Sequence, residues 1–252
     1  MYSSKLNFVL QSIFVIFLIS CATAKLPSDL KRCVAGDSKC IIKNINTVFG
    51  EKNQGDESFG LSQTEPFKME DIIIKQDPAN PVAIYLALKN PVVYGTKNIR
   101  ARKVKGFGKT PDGRHELLLH APYISMISDY EIDGKVLILP IKGQGKSNIT
   151  LVEPLMKMII DATARIEDGK TYMNIKDLRV ECKPKRLAMH FENLFNGDKA
   201  LGENLNSFLN ENWKEIYNEM KRPWYDAIGK QMKEGATKIF NTTPYDEIFE
   251  IL

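Results

Sequence analysis

A stripe of apolar residues at helical spacing runs through the C-terminal part of this chain of 252 residues. An extended segment ends at Phe191, Asn196-Gly197 supplies a turn, and the Asp198 carboxylate is well placed to cap a helix N-terminus. The stripe then consists of Leu201, Leu205, Phe208, Leu209, Trp213, Ile216 and Met220. Because residues at this spacing share one helical face, the sequence predicts a long helix from about Lys199. Another layer must cover its apolar face.

The predicted helix meets Pro223, and a proline inside a helix implies a kink or a restart. Beyond it, Thr243 as an N-cap and Pro244 at the first helical position indicate a short last helix. The apolar spacing between these points resumes at Trp224, Ile228, Met232 and Ile239.

Upstream of the stripe, the period of the apolar residues shortens to two, which is typical of β-strands. A first helix is predicted before this region, from near Asp37 or Ser38 to Gly50. Residues 151–168 keep helical spacing but contain many β-branched residues, so they fit either a helix or a strand. The predicted strands cover residues 72–74, 82–88, 92–94, 99–104, 117–130, 136–141, 172–180 and 187–191.

Turn residues divide this β region. Asp133-Gly134 is typical of a tight hairpin, and Gly143-Gln144-Gly145 is a glycine-rich turn. The basic segment Lys183-Pro184-Lys185-Arg186 is predicted to join residues 172–180 and 187–191 as an antiparallel pair.

These patterns predict an α+β fold, in which a long C-terminal α-helix is wrapped by a long, strongly curved antiparallel β-sheet. A sheet with alternating residues can cover the helix with one face and meet water with the other. Wrapping a cylinder leaves apolar space that side chains do not fill, and such space is a ligand site. The sequence has no internal repeat, so residues 25–252 are predicted to form one elongated domain with an internal apolar cavity.

The N-terminal segment indicates export. Lys5 precedes an apolar run over residues 8–19, and Ala22-Thr23-Ala24 offers a cleavage site, so residues 1–24 are predicted to be a secretory signal peptide. Removing one lysine and no acid leaves 34 basic and 31 acidic residues, a net charge of +3. So small a charge favours neither nucleic acid nor a strongly anionic membrane as a partner, and no later segment is long and apolar enough for stable membrane insertion. The expected location is extracellular.

Cysteine use agrees with export. Cys33 and Cys40 are close enough in sequence to close a short loop in an oxidising compartment. Cys182 alternates with charged residues, which favours a buried, inert thiol over a reactive or intermolecular one. Two acceptor triplets for N-glycans begin at Asn148 and Asn241, and the one at Asn148 is favoured because it follows the glycine-rich segment.

Catalytic motifs are weak. The segment Gly145-Lys146-Ser147 resembles the end of a phosphate-binding loop, but Pro140 stands where that loop needs its first glycine. No G-x-S-x-G nucleophile motif occurs, and the acidic residues form no evident pair. His115, His120 and His190 lack metal-ligand spacing and are interpreted as structural. The sequence therefore predicts neither an enzyme nor a bound metal or cofactor.

Two blocks of sequence, at residues 129–145 and 191–213, closely resemble signatures of the insect takeout and juvenile-hormone-binding family. The resemblance extends over nearly the whole chain after residue 24. One departure is Glu65-Pro66-Phe67, where the family usually has Asp-Pro-Leu. The resemblance implies a tubular fold that carries apolar ligands, a strand over residues 151–168, and a Cys33–Cys40 disulfide.

Aromatic residues and methionines at positions expected to face the core provide the candidate ligand site. They give adaptable apolar walls with a few polar tips, and Tyr123 and Tyr130 are the candidate polar anchors. The candidate lining residues are Tyr85, Tyr94, Tyr123, Met126, Tyr130, Phe208, Leu209, Trp213 and Met220. The predicted function is an extracellular carrier of a small hydrophobic ligand, such as a juvenile-hormone-like terpenoid or a fatty acid. The alternative is a secreted interaction protein whose partner is a protein or receptor.

Overall fold

The computed structural model describes residues 26–252, so the predicted signal peptide at residues 1–24 lies outside the described part of the chain. The helices are α1 (Ser38–Gly50), α2 (Lys199–Glu211), α3 (Trp213–Thr242) and α4 (Tyr245–Ile248). The strands are β1 (Cys33–Val34), β2 (Phe67–Lys68), β3 (Ile72–Lys75), β4 (Val82–Tyr94), β5 (Arg100–Lys105), β6 (Gly113–His120), β7 (Tyr123–Val136), β8 (Leu139–Val152), β9 (Leu155–Glu167), β10 (Lys170–Lys183), β11 (Arg186–Phe191) and β12 (Phe249–Glu250). The predicted α+β class is confirmed, and the ambiguous segment at 151–168 is extended.

The strands form two antiparallel sheets and one short parallel pair. The first sheet has six strands in the order β11-β8-β7-β4-β2, with β3 also paired to β4. The second sheet has four strands in the order β10-β9-β6-β5. β1 and β12 pair in parallel, next to the Cys33–Cys40 disulfide that the resemblance implied.

Three short links that contain proline carry the chain between the two sheets. Ala121-Pro122 divides the predicted strand at 117–130, Glu153-Pro154 joins β8 to β9, and Pro184-Lys185 joins β10 to β11. The first two links contact each other, since the Glu153 N–H donates to the Pro122 carbonyl at 2.8 Å. The third link lies against the end of β8, where the Lys185 N–H donates to the Val152 carbonyl at 2.9 Å. A proline has no N–H for a strand ladder, so pairing stops at each link. The predicted pairing of β10 with β11 is therefore wrong: β10 pairs with β9, and β11 pairs with β8.

The predicted turns at Asp133-Gly134 and Gly143-Gln144-Gly145 are also wrong. Both segments lie inside strands, and the chain turns between β7 and β8 at Leu137-Ile138. Gly134 has a φ of +141°, and a Cβ at this position would lie 2.3 Å from the Ala83 carbonyl oxygen of β4. The glycine therefore permits the close approach of two strands, not a turn.

The C-terminal helices begin as the sequence predicts. Asp198 caps α2 by accepting the Leu201 N–H at 3.0 Å. The helical layer is interrupted at Asn212 and not at Pro223, which lies inside α3. Asn212 donates from its side-chain nitrogen to the Phe208 carbonyl at 2.8 Å, and this local bond competes with helix continuation. The N-cap of α4 is Pro244, one residue later than predicted.

α3 spans two apolar cores. The first core lies between the first sheet, α2 and the first half of α3, which contributes Ile216 and Met220. The second core lies between the second sheet, α1, α4 and the second half of α3. At Gly229 the helix lies so close to β10 that an added Cβ would be 3.1 Å from the Leu178 carbonyl oxygen. The long C-terminal helix and curved antiparallel sheets of the predicted fold are confirmed.

The two signature blocks of the sequence meet at one point in the first core. Glu192 and Leu194, just after β11, pass over β8, and a Cβ at Gly143 would lie 2.7 Å from the Tyr130 hydroxyl oxygen and 3.0 Å from the Leu194 Cα. A Cβ at Gly145 would lie 2.9 Å from the Glu192 carbonyl oxygen. Because these two glycines of β8 have no side chains, the chain can cross β8 at close distance on its way from β11 to α2.

Helix α2 closes the free edge of β11 with two asparagine side chains. Asn206 accepts the Phe191 N–H and donates to the Phe191 carbonyl, both at 2.9 Å. Asn210 does the same for Met189, at 3.0 and 2.7 Å. Four residues of helix rise by about 6 Å and two residues of strand by about 6.6 Å, so the spacings match. The helix thus satisfies backbone groups that an edge strand would leave unpaired.

We predict that Gly143→Ala lowers the free energy of unfolding by about 1–3 kcal/mol, because the new methyl group overpacks the crossing. Gly235→Ala is the matched control, since Gly235 lies inside α3 with nothing within 4 Å of an added Cβ. That change should stabilise by about 0.5–1 kcal/mol through helix propensity. Urea denaturation measures the free energy of unfolding of both variants. A change of the same sign in both would contradict the role given to Gly143.

We also predict that Asn210→Ala destabilises the protein by about 1–3 kcal/mol, because the N–H and carbonyl of Met189 lose their partner. Asn218→Ala is the control, since Asn218 is exposed on α3 and its side-chain oxygen accepts from the Lys221 ammonium group at 2.9 Å. Denaturation midpoints should fall for Asn210→Ala and stay nearly constant for Asn218→Ala. A similar small loss for both variants would refute the account of the β11 edge.

Candidate functional site

Most of the residues predicted to line a ligand site face the first core. β7, α2 and α3 bring them together from two layers, with the sheet on one side and the helices on the other. Four are buried there and two, Phe208 and Trp213, are partly buried. These residues are Met126, Tyr130, Phe208, Leu209, Trp213 and Met220.

The other three predicted residues lie on the outer face of the first sheet, so their predicted core-facing position is wrong. Tyr94 and Tyr123 are 40% and 46% exposed. Tyr85 lies between the buried Ile84 and Leu86 and points the opposite way. For Tyr123 the reason is strand parity, since it is seven residues from Tyr130 on β7 and an odd separation places two side chains on opposite faces. Tyr94 instead follows a register shift between Lys89 and Val92, which reverses the alternation of β4.

The first core also contains residues that the sequence analysis missed. Met189 is buried on β11, and its place between Leu187 and Phe191 was a signal that it shares their face. Met69 packs against the same core from the loop between β2 and β3. With Met126 and Met220, these residues give the first core four flexible thioether side chains.

Tyr130 is buried in this core, and its hydroxyl proton is already used in a hydrogen bond to the protein. Its hydroxyl donates to the Glu192 carbonyl at 2.5 Å, and its ring meets Phe191 edge-on at a centroid distance of 4.9 Å. Burial, with a smaller effect of the Glu192 charge, raises the pKa of Tyr130 to about 12, so it stays a donor at neutral pH. The hydroxyl group that was predicted to anchor a ligand therefore joins the two signature blocks where they cross.

A pair of serines supplies a second polar point in the first sheet. Ser128 and Ser147 are 3% and 2% exposed and lie directly opposite each other on β7 and β8. Their hydroxyl oxygens are 2.8 Å apart, and the Ser147 hydroxyl also lies 3.4 Å from the Ser128 carbonyl. Met126 and Tyr130, two residues to either side of Ser128, share its face. Two hydroxyls thus face an otherwise apolar interior.

An open cleft adjoins the first core at the helices. It has a volume of about 610 Å³ and lies beside the junction of α2 and α3. Its lining residues are Lys185, Arg186, Ser207, Asn210, Glu211, Trp213 and Lys214. Trp213 belongs to both the cleft and the first core, and the Lys214 ammonium group lies 5.8 Å from the centre of its ring.

A second depression, of about 350 Å³, lies around Tyr85 and Lys135 at the outer face of the first sheet. Neither depression is an internal tunnel. The predicted internal cavity therefore stays a prediction.

Two buried titratable side chains, Cys182 and His115, are held in structural settings. Cys182 is buried, and burial raises the pKa of its thiol to about 11, which fits the inert role expected of it. The hydroxyl groups of Tyr217 and Tyr225 both donate to the Cys182 carbonyl and thereby tie α3 to β10. His115 accepts the Phe107 N–H at 2.7 Å, and burial lowers its pKa. These contacts support a structural interpretation of both residues.

Within residues 26–252, no cluster of three or more histidine, cysteine, aspartate or glutamate residues is suited to hold a metal ion. No helix in the described part of the chain has the length and apolar character needed to cross a membrane.

Comparison with known proteins gives a consistent result. A curated relative, the circadian clock-controlled protein daywake of Drosophila melanogaster, is 29% identical over 240 residues, which is 92% of each chain. The daywake protein of Drosophila yakuba is 27% identical over 234 residues, or 91% of this chain and 90% of the relative.

The crystal structure of Epiphyas postvittana Takeout 1 superposes with a TM-score of 0.77 at 23% identity, over 87% of this chain and 99% of Takeout 1. This match shows the shared fold. The model of the haemolymph juvenile hormone binding protein family matches residues 12–250. The chain therefore belongs to the haemolymph juvenile hormone binding protein family.

Proposed function

We propose that this protein is an extracellular carrier that binds one small hydrophobic ligand in its first core, without chemical turnover. The observation that carries the proposal is the convergence of methionine and aromatic side chains from β7, β11, α2 and α3 on one interior. Membership in a family named for binding juvenile hormone supports the ligand class. The predicted signal peptide and the haemolymph location in the family's name support secretion.

A filled interior is compatible with this function because its side chains can rearrange. Methionine is unbranched, and its flexible thioether fits irregular partners better than a branched side chain does. Met126, Met189 and Met220 can therefore move aside for a long apolar molecule. The cleft at Trp213 is the proposed entrance, since this side chain contacts both the cleft and the first core.

The energetics are adequate without covalent chemistry. Burying about 300 Å² of a terpenoid or fatty chain at about 25 cal/mol per Å² provides about 7 kcal/mol. The loss of ligand motion and the rearrangement of side chains reduce this value. One hydrogen bond to a polar group of the ligand adds about 0.5–1.5 kcal/mol.

The serine pair is the proposed source of that hydrogen bond. One of the two hydroxyls can turn from its neighbour to a ligand oxygen while the other keeps its bond to the protein. This capacity favours lipophiles that carry an acceptor, such as an ester, epoxide or carbonyl, over plain hydrocarbons.

We predict that Leu209→Trp weakens the binding of a sesquiterpenoid methyl ester about tenfold or more, because the larger ring occupies the first core. Ala162→Phe is the matched control, since Ala162 is buried in the second core. In calorimetric titrations, the affinity of the Ala162→Phe variant for the same ester should equal that of the unchanged protein. Loss of affinity only in Ala162→Phe would move the ligand to the second core, and no binding by the unchanged protein would refute the carrier.

We further predict that the double variant Ser128→Ala with Ser147→Ala loses about 3- to 10-fold in affinity for the ester, the equivalent of one net hydrogen bond. It should bind the same chain without the ester group as well as the unchanged protein does. Removing both hydroxyls together leaves neither one unpaired, so the fold should remain stable. Equal losses for the two ligands would contradict the role of the serines as a polar contact.

A further inference from the structure

An apolar patch lies on the outer face of the first sheet, away from the proposed ligand site. Tyr94, Tyr123 and Ile127 are each 40% to 46% exposed, although they belong to neighbouring central strands. Val92 lies beside Ile127 in the register of β4 and β7, and Tyr94 lies beside Ser125. We call these four apolar residues the outer patch. A cluster of exposed apolar residues on a folded protein marks a surface that can bind another group.

Asn148 stands at the border of the outer patch. It is exposed on β8, directly opposite Ile127, so the two side chains are neighbours on the same face. Thr150, which completes the Asn-x-Thr triplet, lies opposite Ser125. The Ser125 and Thr150 hydroxyls donate to the Asn148 Oδ1 at 2.9 and 3.1 Å. The Nδ2 atom, where a glycan attaches, is the other end of this held carboxamide.

We propose that Asn148 carries an N-linked glycan and that the first sugars of this glycan lie across the outer patch. In the secretory pathway, the Asn148 Nδ2 forms a bond to the anomeric carbon of a lipid-linked oligosaccharide diphosphate. The bond from that carbon to the diphosphate breaks, and the amide loses one proton. The attached sugars emerge beside Ile127, and β4 with Tyr94 is two strand spacings, or about 10 Å, from β8.

The chemistry of the two surfaces is complementary. A pyranose ring presents C–H groups on its faces and hydroxyls at its edge. Tyrosine likewise has an apolar ring with a polar tip. Sugars that lie on Tyr94 and Ile127 remove their apolar surface from water and keep the hydroxyls solvated. The ion pair of Asp129 with Lys146, at 2.5 Å, borders Asn148 on the side away from Tyr94, so the apolar contacts lie in one direction.

The other acceptor triplet has a different setting. Asn241 lies in the last turn of α3, and the Thr243 side chain that completes the triplet is fully buried. Asn241→Gln therefore serves to remove this triplet without touching the outer patch, which leaves Asn148 as the single acceptor in the chain.

The test uses the Asn241→Gln protein secreted from insect cells and kept folded throughout. Intact mass, before and after enzymatic removal of Asn-linked glycans, shows whether Asn148 is modified. Oxidative footprinting then compares the labelling of Tyr94 and Tyr123 in the two forms. Tyr172, on β10 of the second sheet, is the internal reference.

We expect a glycan mass at Asn148 and a rise in the labelling of Tyr94 and Tyr123 after its removal, with Tyr172 unchanged. A secreted protein whose mass equals that of the polypeptide would overturn the proposal. A glycan whose removal leaves the labelling of both tyrosines unchanged would overturn the contact with the outer patch. Protection of the patch in an unglycosylated dimer would assign the patch to a second copy of the chain instead.

Discussion

The crossing of the chain over the glycines of β8 is the constraint on which the rest of the fold depends. The Tyr130 hydroxyl holds the Glu192 carbonyl at this point, and Gly143 and Gly145 leave the space for it. From here the chain enters α2, whose asparagines close the edge of β11. Because α2 leads directly into α3, this junction sets where the long helix lies, and α3 completes both apolar cores. A side chain at Gly143 would disturb packing far beyond its own strand.

Methionine and aromatic side chains occur in both cores, so two other features of the first core bear on function. The first core combines methionines and aromatic residues with a buried serine pair, and it reaches an open cleft through Trp213. The second core is covered by α1 and α4, and the buried His115 lies beside it, with the Phe107 ring tilted against the imidazole at a centroid distance of 4.6 Å. The buried polar contact and the open cleft favour the first core as the place for a lipophile.

Local features of the fold could be predicted from the sequence because they depend on nearby residues. The Asp198 cap, α1 and the apolar stripe from Leu205 to Met220 are examples, whereas Leu201, predicted to begin the stripe, is 51% exposed. Strand partners depend on distant residues, so the passage of the chain between sheets at Pro122, Pro154 and Pro184 could not be predicted. For the same reason the pair Asp133-Gly134 predicts a turn, although the close neighbour of Gly134 is the Ala83 carbonyl on another strand. In the candidate site, alternation along β7 was the signal that should have placed Tyr123 on the face opposite Tyr130. Tyr94 faces outward for another reason, because the register of β4 shifts between Lys89 and Val92, and alternation alone does not show such a shift.

The central claim is that the first core holds a lipophile in the secreted protein. Native mass spectrometry of that protein, followed by organic extraction, tests this claim most directly. The account predicts one small apolar molecule with an oxygen acceptor per chain, which added terpenoid ester or fatty acid displaces. A protein that is secreted empty and takes up neither compound would contradict it.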